Sequence, residues 1–441
     1  MSTGVRYHST RDPQRRPADF DSALRSGLAP DGGLYVPERV PPLEADWRQA
    51  EDLPALLDAV LRPWFAPGEA DERVADACEA LDFPLPVRAL GEREALLELH
   101  HGPTLAFKDV AARTMARWLT RSLLRRGERA TVLVATSGDT GGAVADGFAG
   151  SEALRVVVLY PAGRVSPVQE RQLTQPRAGV YTLAIDGDFD SCQRLVKAAL
   201  VDQALAPLRL SSANSINVGR LLPQASYHLW GALQLARLRD VRLEDVVNVV
   251  PSGNLGNLVA GLLVAAMGAP LRGFVAAHNA NDHVPRFLRG AAEPDERRAT
   301  VATLSNAMDV GVPSNLERLL ALFPGGRYPR PLAGASVDDE ATLARMRRVW
   351  DEHGVLVCPH TAVGLEAWAR LGGERPGWDG AHGLVFATAH AAKFPEVVAR
   401  ALPGVPATHP ALEALPAARP DARLGADEAA LRSWLIDQLR A

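Results

Sequence analysis

The sequence predicts an α/β protein with mostly parallel strands, divided into more than one domain. Three observations carry that prediction. From about Leu90 onward, short β-branched runs alternate with helical segments. Several of the runs are apolar almost throughout, as strands covered on both faces are. The chain has 441 residues, more than one hydrophobic core usually organises.

The stretch 1–89 stands apart. Asp31-Gly32-Gly33 marks a turn, and Pro37, Pro41 and Pro42 break any helix, so it reads as an N-terminal segment with short helices. Strands are then expected at 131–136, 155–160, 180–185, 246–250, 273–277, 354–357 and 383–388. Helices are expected at 109–126, 189–205, 258–267 and 338–353. In the first helix Ala111, Met115, Trp118 and Leu119 share one apolar face, and Gly127 follows as a stop. Arg113, Arg117, Arg121 and Arg125 recur every fourth residue on another face; a solvated face outweighs a nucleic-acid stripe as the reading. The proline- and alanine-rich stretch 402–424 reads as a loose connection to a final helix at about 426–439.

Composition excludes several classes. Apolar residues at 47% and charged residues at 23% are ordinary globular values. A net charge of −4 lacks the basic excess of a phosphate-gripping nucleic-acid binder. The three cysteines are odd in number and form no Cys-x-x-Cys pair, which argues against a disulfide framework or a structural zinc and for a reducing, cytoplasmic setting. His100 and His101 are adjacent, poor geometry for one metal, and Cys358-Pro359-His360 is too little for a zinc site, so no metal is expected. The N-terminus has no apolar stretch to serve as a signal peptide, and the most apolar segment, 258–267, is about half of a membrane span.

Four segments carry chemistry. Thr136-Ser137-Gly138-Asp139-Thr140-Gly141-Gly142 joins a strand to a helix; backbone N–H groups, the helix dipole and two hydroxyls there suit a carboxylate, and an ordinary capped turn is the plainer alternative. Pro251-Ser252-Gly253-Asn254-Leu255-Gly256-Asn257 is a second such turn, able to cradle a phosphate with backbone N–H groups. Lys108 lies at a strand-to-helix junction near Phe107, where a lysine can acquire a lowered pKa and form a Schiff base. The only other lysines are Lys197 and Lys393, so each invites a question about amine chemistry. The stretch 211–220 offers amides, hydroxyls and the guanidinium of Arg220, which could grip a phosphate in a bidentate way or merely cap the next helix.

Together these motifs resemble threonine synthase. His101-Gly-Pro-Thr-Leu-Ala-Phe-Lys-Asp109, Ala135 to Gly141, Ile185 to Asp190, Ser212 to Asn217, Pro251 to Asn257 and Leu304 to Asp309 follow the family's order. Tyr7-His-Ser-Thr10 near the start and Thr388-Ala-His-Ala-Ala-Lys-Phe394 near the end extend the match, and the N-terminal segment looks like the family's longer form. The chain departs from that form at Leu255, Asn257 and Ala391.

The resemblance implies a fold-type II pyridoxal-phosphate enzyme, with two α/β domains and the cofactor between them. It implies an N-terminal segment at 1–89, a smaller domain at 90–225 with the cofactor lysine and substrate loop, and a larger domain at 226–441 with the cofactor-phosphate loop and the C-terminal helix. Lys108 would bind pyridoxal 5'-phosphate, Gly253, Asn254, Leu255, Gly256 and Asn257 its phosphate, Thr388 its ring nitrogen and Asp139 the surroundings of its ring hydroxyl. Ser137, Gly138 and Thr140 would take the substrate carboxylate, and Asn214, Ser215 and Arg220 its phosphate. The implied reaction converts O-phospho-L-homoserine and water to L-threonine and phosphate, the last step of threonine biosynthesis. Its partner is that small molecule, without nucleic acid or membrane, in a monomer or a dimer. Two other readings remain: another fold-type II lyase such as a serine or threonine dehydratase, which needs no γ-phosphate ligands, and a non-catalytic binding relative.

Overall fold

The computed structural model describes residues 4–296, 298–372 and 375–439. Six strands form one sheet in the order Leu332–Ser336, Gly273–His278, Val246–Pro251, His382–Ala387, Glu94–Glu98, Val87–Ala89, parallel except for the last pair. Five strands form a second, all-parallel sheet in the order Ala422–Gly425, Val180–Asp186, Leu154–Pro161, Ala130–Ala135, Leu210–Ser212. The central strands are buried along their length because helices cover both faces, which explains their continuous apolar runs. Near the N-terminus, Tyr7–Ser9 pairs antiparallel with Tyr35–Pro37.

The chain crosses between the sheets more than once. Residues 87–98 join the sheet of 246–387, and the C-terminal strand and helix Glu428–Leu439 return to the five-stranded sheet. Leu431, Leu435 and Leu439, spaced by four, bury against the helix Phe189–Val201. A division at residues 90 and 225 therefore does not coincide with the sheets, and the final helix packs with the smaller one.

One expected strand does not form. Gly354 closes the helix Asp339–His353 with φ at 63°, and residues 355–357 pass without strand pairing into the helix Pro359–Leu371. Their apolar side chains pack on the helices beside the six-stranded sheet instead. The strands Glu94–Glu98 and Leu210–Ser212 were not expected. In the former, an ion pair to Arg345 and another to Arg88 carry the two glutamates.

The helix Lys108–Leu124 is held from its far side by the N-terminal segment. Ala111, Met115, Trp118 and Leu119 are buried, as their spacing predicts. Trp118 meets Phe20 and Phe65 edge-on, with centroids 5.4 Å away in each case, and its Nε1 donates to the Arg73 carbonyl at 2.8 Å. The arginine stripe is not a simple solvated face. Arg113 pairs with Asp82, Arg117 with Glu79, Arg121 with Asp76 and Arg125 with Glu72, forming a ladder to and just beyond the helix Pro67–Ala80. Exposed rungs of this kind contribute about 0–1 kcal/mol each; Asp76 is buried, so its rung counts for more. Among the described residues, no helix is long and apolar enough to cross a membrane.

Candidate active site

The loop before Lys108 is locked by Asp109. Its Oδ2 accepts from the Thr104 N–H at 2.9 Å and its Oδ1 from the Thr104 hydroxyl. Burial pushes the Asp109 carboxyl up to about 6 even against those donors. Gly102 is needed there, since a Cβ would meet Asp109 Oδ2 at 2.5 Å. The Phe107 N–H donates to the Thr388 carbonyl at 2.8 Å, so the lysine loop is tied to the end of the strand His382–Ala387.

Parallel pairing then brings the other loops together. Ala130–Ala135 and Leu210–Ser212 are neighbours, so their C-terminal ends place 136–142 beside 213–220. Asn214 Nδ2 donates to the Ala135 carbonyl at 2.9 Å and joins the two. Val246–Pro251 and His382–Ala387 are neighbours in the larger sheet, which places 251–257 beside Thr388. Asn254 Nδ2 donates to Ser215 Oγ at 2.7 Å across the gap between the sheets.

The result is one cavity. Lys108, Ser137, Asp139, Thr140, Asn214, Ser215, Arg220, Thr388 and all of Gly253 to Asn257 line it. Of the residues expected at the site, only Gly138 does not. Its φ of 132° turns the loop, its N–H donates to Thr136 Oγ1 at 2.9 Å, and a Cβ would strike the Gln169 side chain at 2.5 Å. Gly138 shapes the turn from behind.

The electrostatics are those of an anion-binding, amine-bearing site. Burial lowers the Lys108 ammonium to about 8; Asp139 opposes this, and Arg220 and Lys393 add to it. Burial alone would raise the Asp139 carboxyl, but Lys393, Lys108 and His360 override it and hold it well below the usual carboxylate range. Lys393, fully buried, reaches Asp139 Oδ1 at 2.8 Å. Arg220 is 2% exposed. Its Nη1 donates to the Ala213 carbonyl at 2.7 Å, its Nε has no partner, and burial lowers it to about 10, so it stays a cation at neutral pH. Among the described residues no carboxylate lies within ion-pair reach of it, so an anion is the missing partner.

The second cradle is backbone. Leu255 adopts φ 62° at the start of the helix Gly256–Ala266, and this left-handed residue before a helix turns successive N–H groups toward one point. A Cβ on Gly253 would meet Met308 Cα at 2.8 Å, so the loop admits no side chain there. Asn257 does not face outward as a bare polar group. Its Oδ1 accepts from Ser252 Oγ at 2.6 Å and its Nδ2 donates to the Pro251 carbonyl at 2.9 Å, which stiffens the loop. A buried amine, an N–H cradle for one phosphate and an unpaired guanidinium for a second anion fit pyridoxal phosphate with a phosphorylated substrate.

Comparison with known proteins agrees. Residues 84–381 match the family of pyridoxal-phosphate dependent enzymes, residues 6–73 the threonine synthase N terminus and residues 361–424 the threonine synthase C-terminal region. The chain is 42% identical to the threonine synthase of Escherichia coli K12 over 386 residues, 86% of this chain and 87% of that one. It is 42% identical to that of Serratia marcescens over 387 residues, again 86% and 87%. This chain belongs to the threonine synthase family. The crystal structure of the E. coli enzyme superposes with a TM-score of 0.88 at 38% identity, covering 98% of this chain and 99% of that one. A structure of pyridoxal-phosphate-bound threonine synthase from Brucella melitensis superposes with a TM-score of 0.87 at 33% identity, covering 99% and 100%. Pyridoxal phosphate is the cofactor, and the fold is the fold-type II α/β architecture.

Several residues around the site were given no role there by the sequence. His360 opens the helix Pro359–Leu371; its Nε2 accepts from the Ala307 N–H at 3.2 Å, and burial lowers it to about 4, so it is neutral. Gln169 Nε2 donates to Asp139 Oδ1 at 2.9 Å, and Gln224 also lines the cavity. Lys393 was noted as a scarce lysine without a role. Beyond the cavity, Glu98, His100 and His101 bring ligand atoms within 4.8 Å of one another, which their adjacency in sequence argued against. Both Glu98 oxygens are engaged, Oε1 by Arg88 and Oε2 by His101 Nε2 at 2.8 Å.

Proposed function

We propose that the chain converts O-phospho-L-homoserine and water to L-threonine and phosphate as a cytoplasmic enzyme. The observation that carries this reading is Arg220, a buried cation with no carboxylate partner, opening onto the same cavity as Lys108. A dehydratase acting on serine or threonine has no need of it.

Bound through Lys108, the cofactor supplies an electron sink for charge developing on the amino-acid substrate. This chain's residues do the rest. With the ammonium at about 8, a useful fraction of Lys108 is a free amine near neutral pH, able to take up the cofactor and then to carry protons at Nζ. The Ser137 and Thr140 hydroxyls and the N-terminus of the helix Asp139–Gly147 take the carboxylate. Arg220, Asn214 and Ser215 take the γ-phosphate and stabilise its charge as the carbon–oxygen bond breaks. Thr388 would hold the cofactor's ring nitrogen, and Asp139 would lie near its ring hydroxyl. Gly253 to Asn257 hold the cofactor phosphate, so the two phosphates occupy separate cradles.

The test is substrate choice. Purified, cofactor-loaded protein should release phosphate from O-phospho-L-homoserine and leave L-serine and L-threonine unchanged. Turnover of serine without any phosphate release would replace this reading with the dehydratase.

A further inference from the structure

Lys393 is 1 of 3 lysines in the chain and is 0% exposed. Its ammonium donates to Asp139 Oδ1 and to the Thr104 carbonyl, both at 2.8 Å. Its own carbonyl accepts from Ser166 Oγ at 3.1 Å. Ser166 caps the helix Pro167–Leu173, which carries Gln169, the second donor to Asp139 Oδ1. One side chain thus links the end of the six-stranded sheet, the lysine loop and the turn at Asp139. Both donors converge on Oδ1, which leaves Oδ2 to the cavity that Asp139 lines.

We infer that Lys393 is a positioning residue for the reaction: it holds Asp139 as a fixed anion by occupying Oδ1, so that Lys108 is the one amine in the site free to exchange its proton. The inference rests on Lys108 being the cofactor lysine. A buried carboxylate without a permanent partner would take its counter-charge from Lys108 and hold that nitrogen protonated. With Lys393 in place, Asp139 is already paired, and the second ammonium also works against a proton on Lys108. The charged and titratable groups facing this pair are Lys108, Arg220, His360, Asp109 and the Cys358 thiol, which burial pushes up and keeps neutral; Gln169 and Thr104 are neutral. Removing the Lys393 charge while Asp139 stays ionised therefore has one sign: the Lys108 nitrogen gains proton affinity.

The experiment titrates the visible absorbance band of the holoenzyme between about pH 6 and 10. In Lys393→Met the midpoint should rise by about 1 unit or more. Lys393→Arg keeps the charge in a broader head group, so the midpoint should stay near wild type while kcat falls about tenfold at an unchanged KM. Asp139→Asn alone should lower the midpoint, and Asp139→Asn with Lys393→Met should bring it back up. That last comparison reads the same coupling even if Lys393→Met alone does not fold, because the double variant removes both charges of the Lys393–Asp139 pair together. A midpoint identical in wild type and Lys393→Met, or identical in Asp139→Asn and the double variant, overturns the inference. Phosphate release by the wild-type enzyme is scored separately. Its loss refutes the proposed substrate without touching the titration.

Discussion

Arg220→Met separates the site's function from its cost to the fold. The guanidinium has its Nη1 committed to the Ala213 carbonyl, which leaves the Nε and Nη2 edge for an anion. A charge-assisted hydrogen bond contributes about 1.5–3 kcal/mol, so losing two from a bidentate grip amounts to roughly 3–6 kcal/mol. At 1.4 kcal/mol per factor of ten, kcat/KM for O-phospho-L-homoserine should fall by roughly 10² to 10⁴. The same change removes an unpaired buried cation and substitutes an unbranched apolar chain. Arg220→Met should therefore unfold at a temperature no lower than the wild type, and should gain stability in the absence of anions. Inorganic phosphate added to cofactor-loaded protein should raise the wild-type midpoint, by about 1.4 kcal/mol at ten times its Kd, and leave the variant unmoved. Steady-state phosphate release and thermal unfolding read the two halves. A variant that keeps kcat/KM within a few-fold of wild type, or that shares the phosphate-dependent stabilisation, would refute the assignment of Arg220 to the leaving phosphate.

Three further outcomes follow from the geometry. The rate at which apoprotein takes up pyridoxal phosphate should climb through about pH 8, because the amine and not the ammonium attacks and burial has lowered Lys108 to that value; an ordinary lysine would need a pH above about 10. Stopped-flow absorbance gives the profile, and a midpoint near 10 would contradict it. Gly253→Ala should weaken cofactor binding by at least about tenfold, since the new methyl meets Met308 Cα at 2.8 Å and the loop must move; equilibrium dialysis checks it. Thr104→Val should destabilise the protein by about 1–3 kcal/mol, because Asp109, buried and raised to about 6, loses its hydroxyl donor. The loss should shrink below about pH 6, where a protonated Asp109 needs that donor less, and urea unfolding at two pH values measures it.

The loops were legible in the sequence because their signal is local. Glycines, a strand before and a helix after mark 136–142 and 251–257 wherever they occur, and parallel strands send such turns to one edge of a sheet. The partners that tune those loops were not legible. Lys393 and His360 reach the site from segments more than 200 residues beyond Asp139 in the chain, and nothing in their neighbours says which way they face. The arginine stripe announced a helix face; its acidic complement lies on another helix, with no spacing rule to connect them. The segment 354–357 has the composition of a strand and no strand beside it, since pairing is settled by the whole sheet. Gly138 was expected beside the substrate carboxylate, and what the sequence did not show is how its φ and the Gln169 side chain behind it set the shape of that turn.

The central claim is that the γ carbon–oxygen bond of the substrate breaks and that water then enters at the β-carbon. Turnover of O-phospho-L-homoserine in heavy-oxygen water tests it most directly, with phosphate and amino-acid products analysed by mass and Lys108→Ala as control. The account predicts equal amounts of phosphate and threonine, the label in the threonine hydroxyl and none in phosphate, and no turnover in the variant. Label in phosphate with homoserine as product would show simple phosphate-ester hydrolysis and contradict the account.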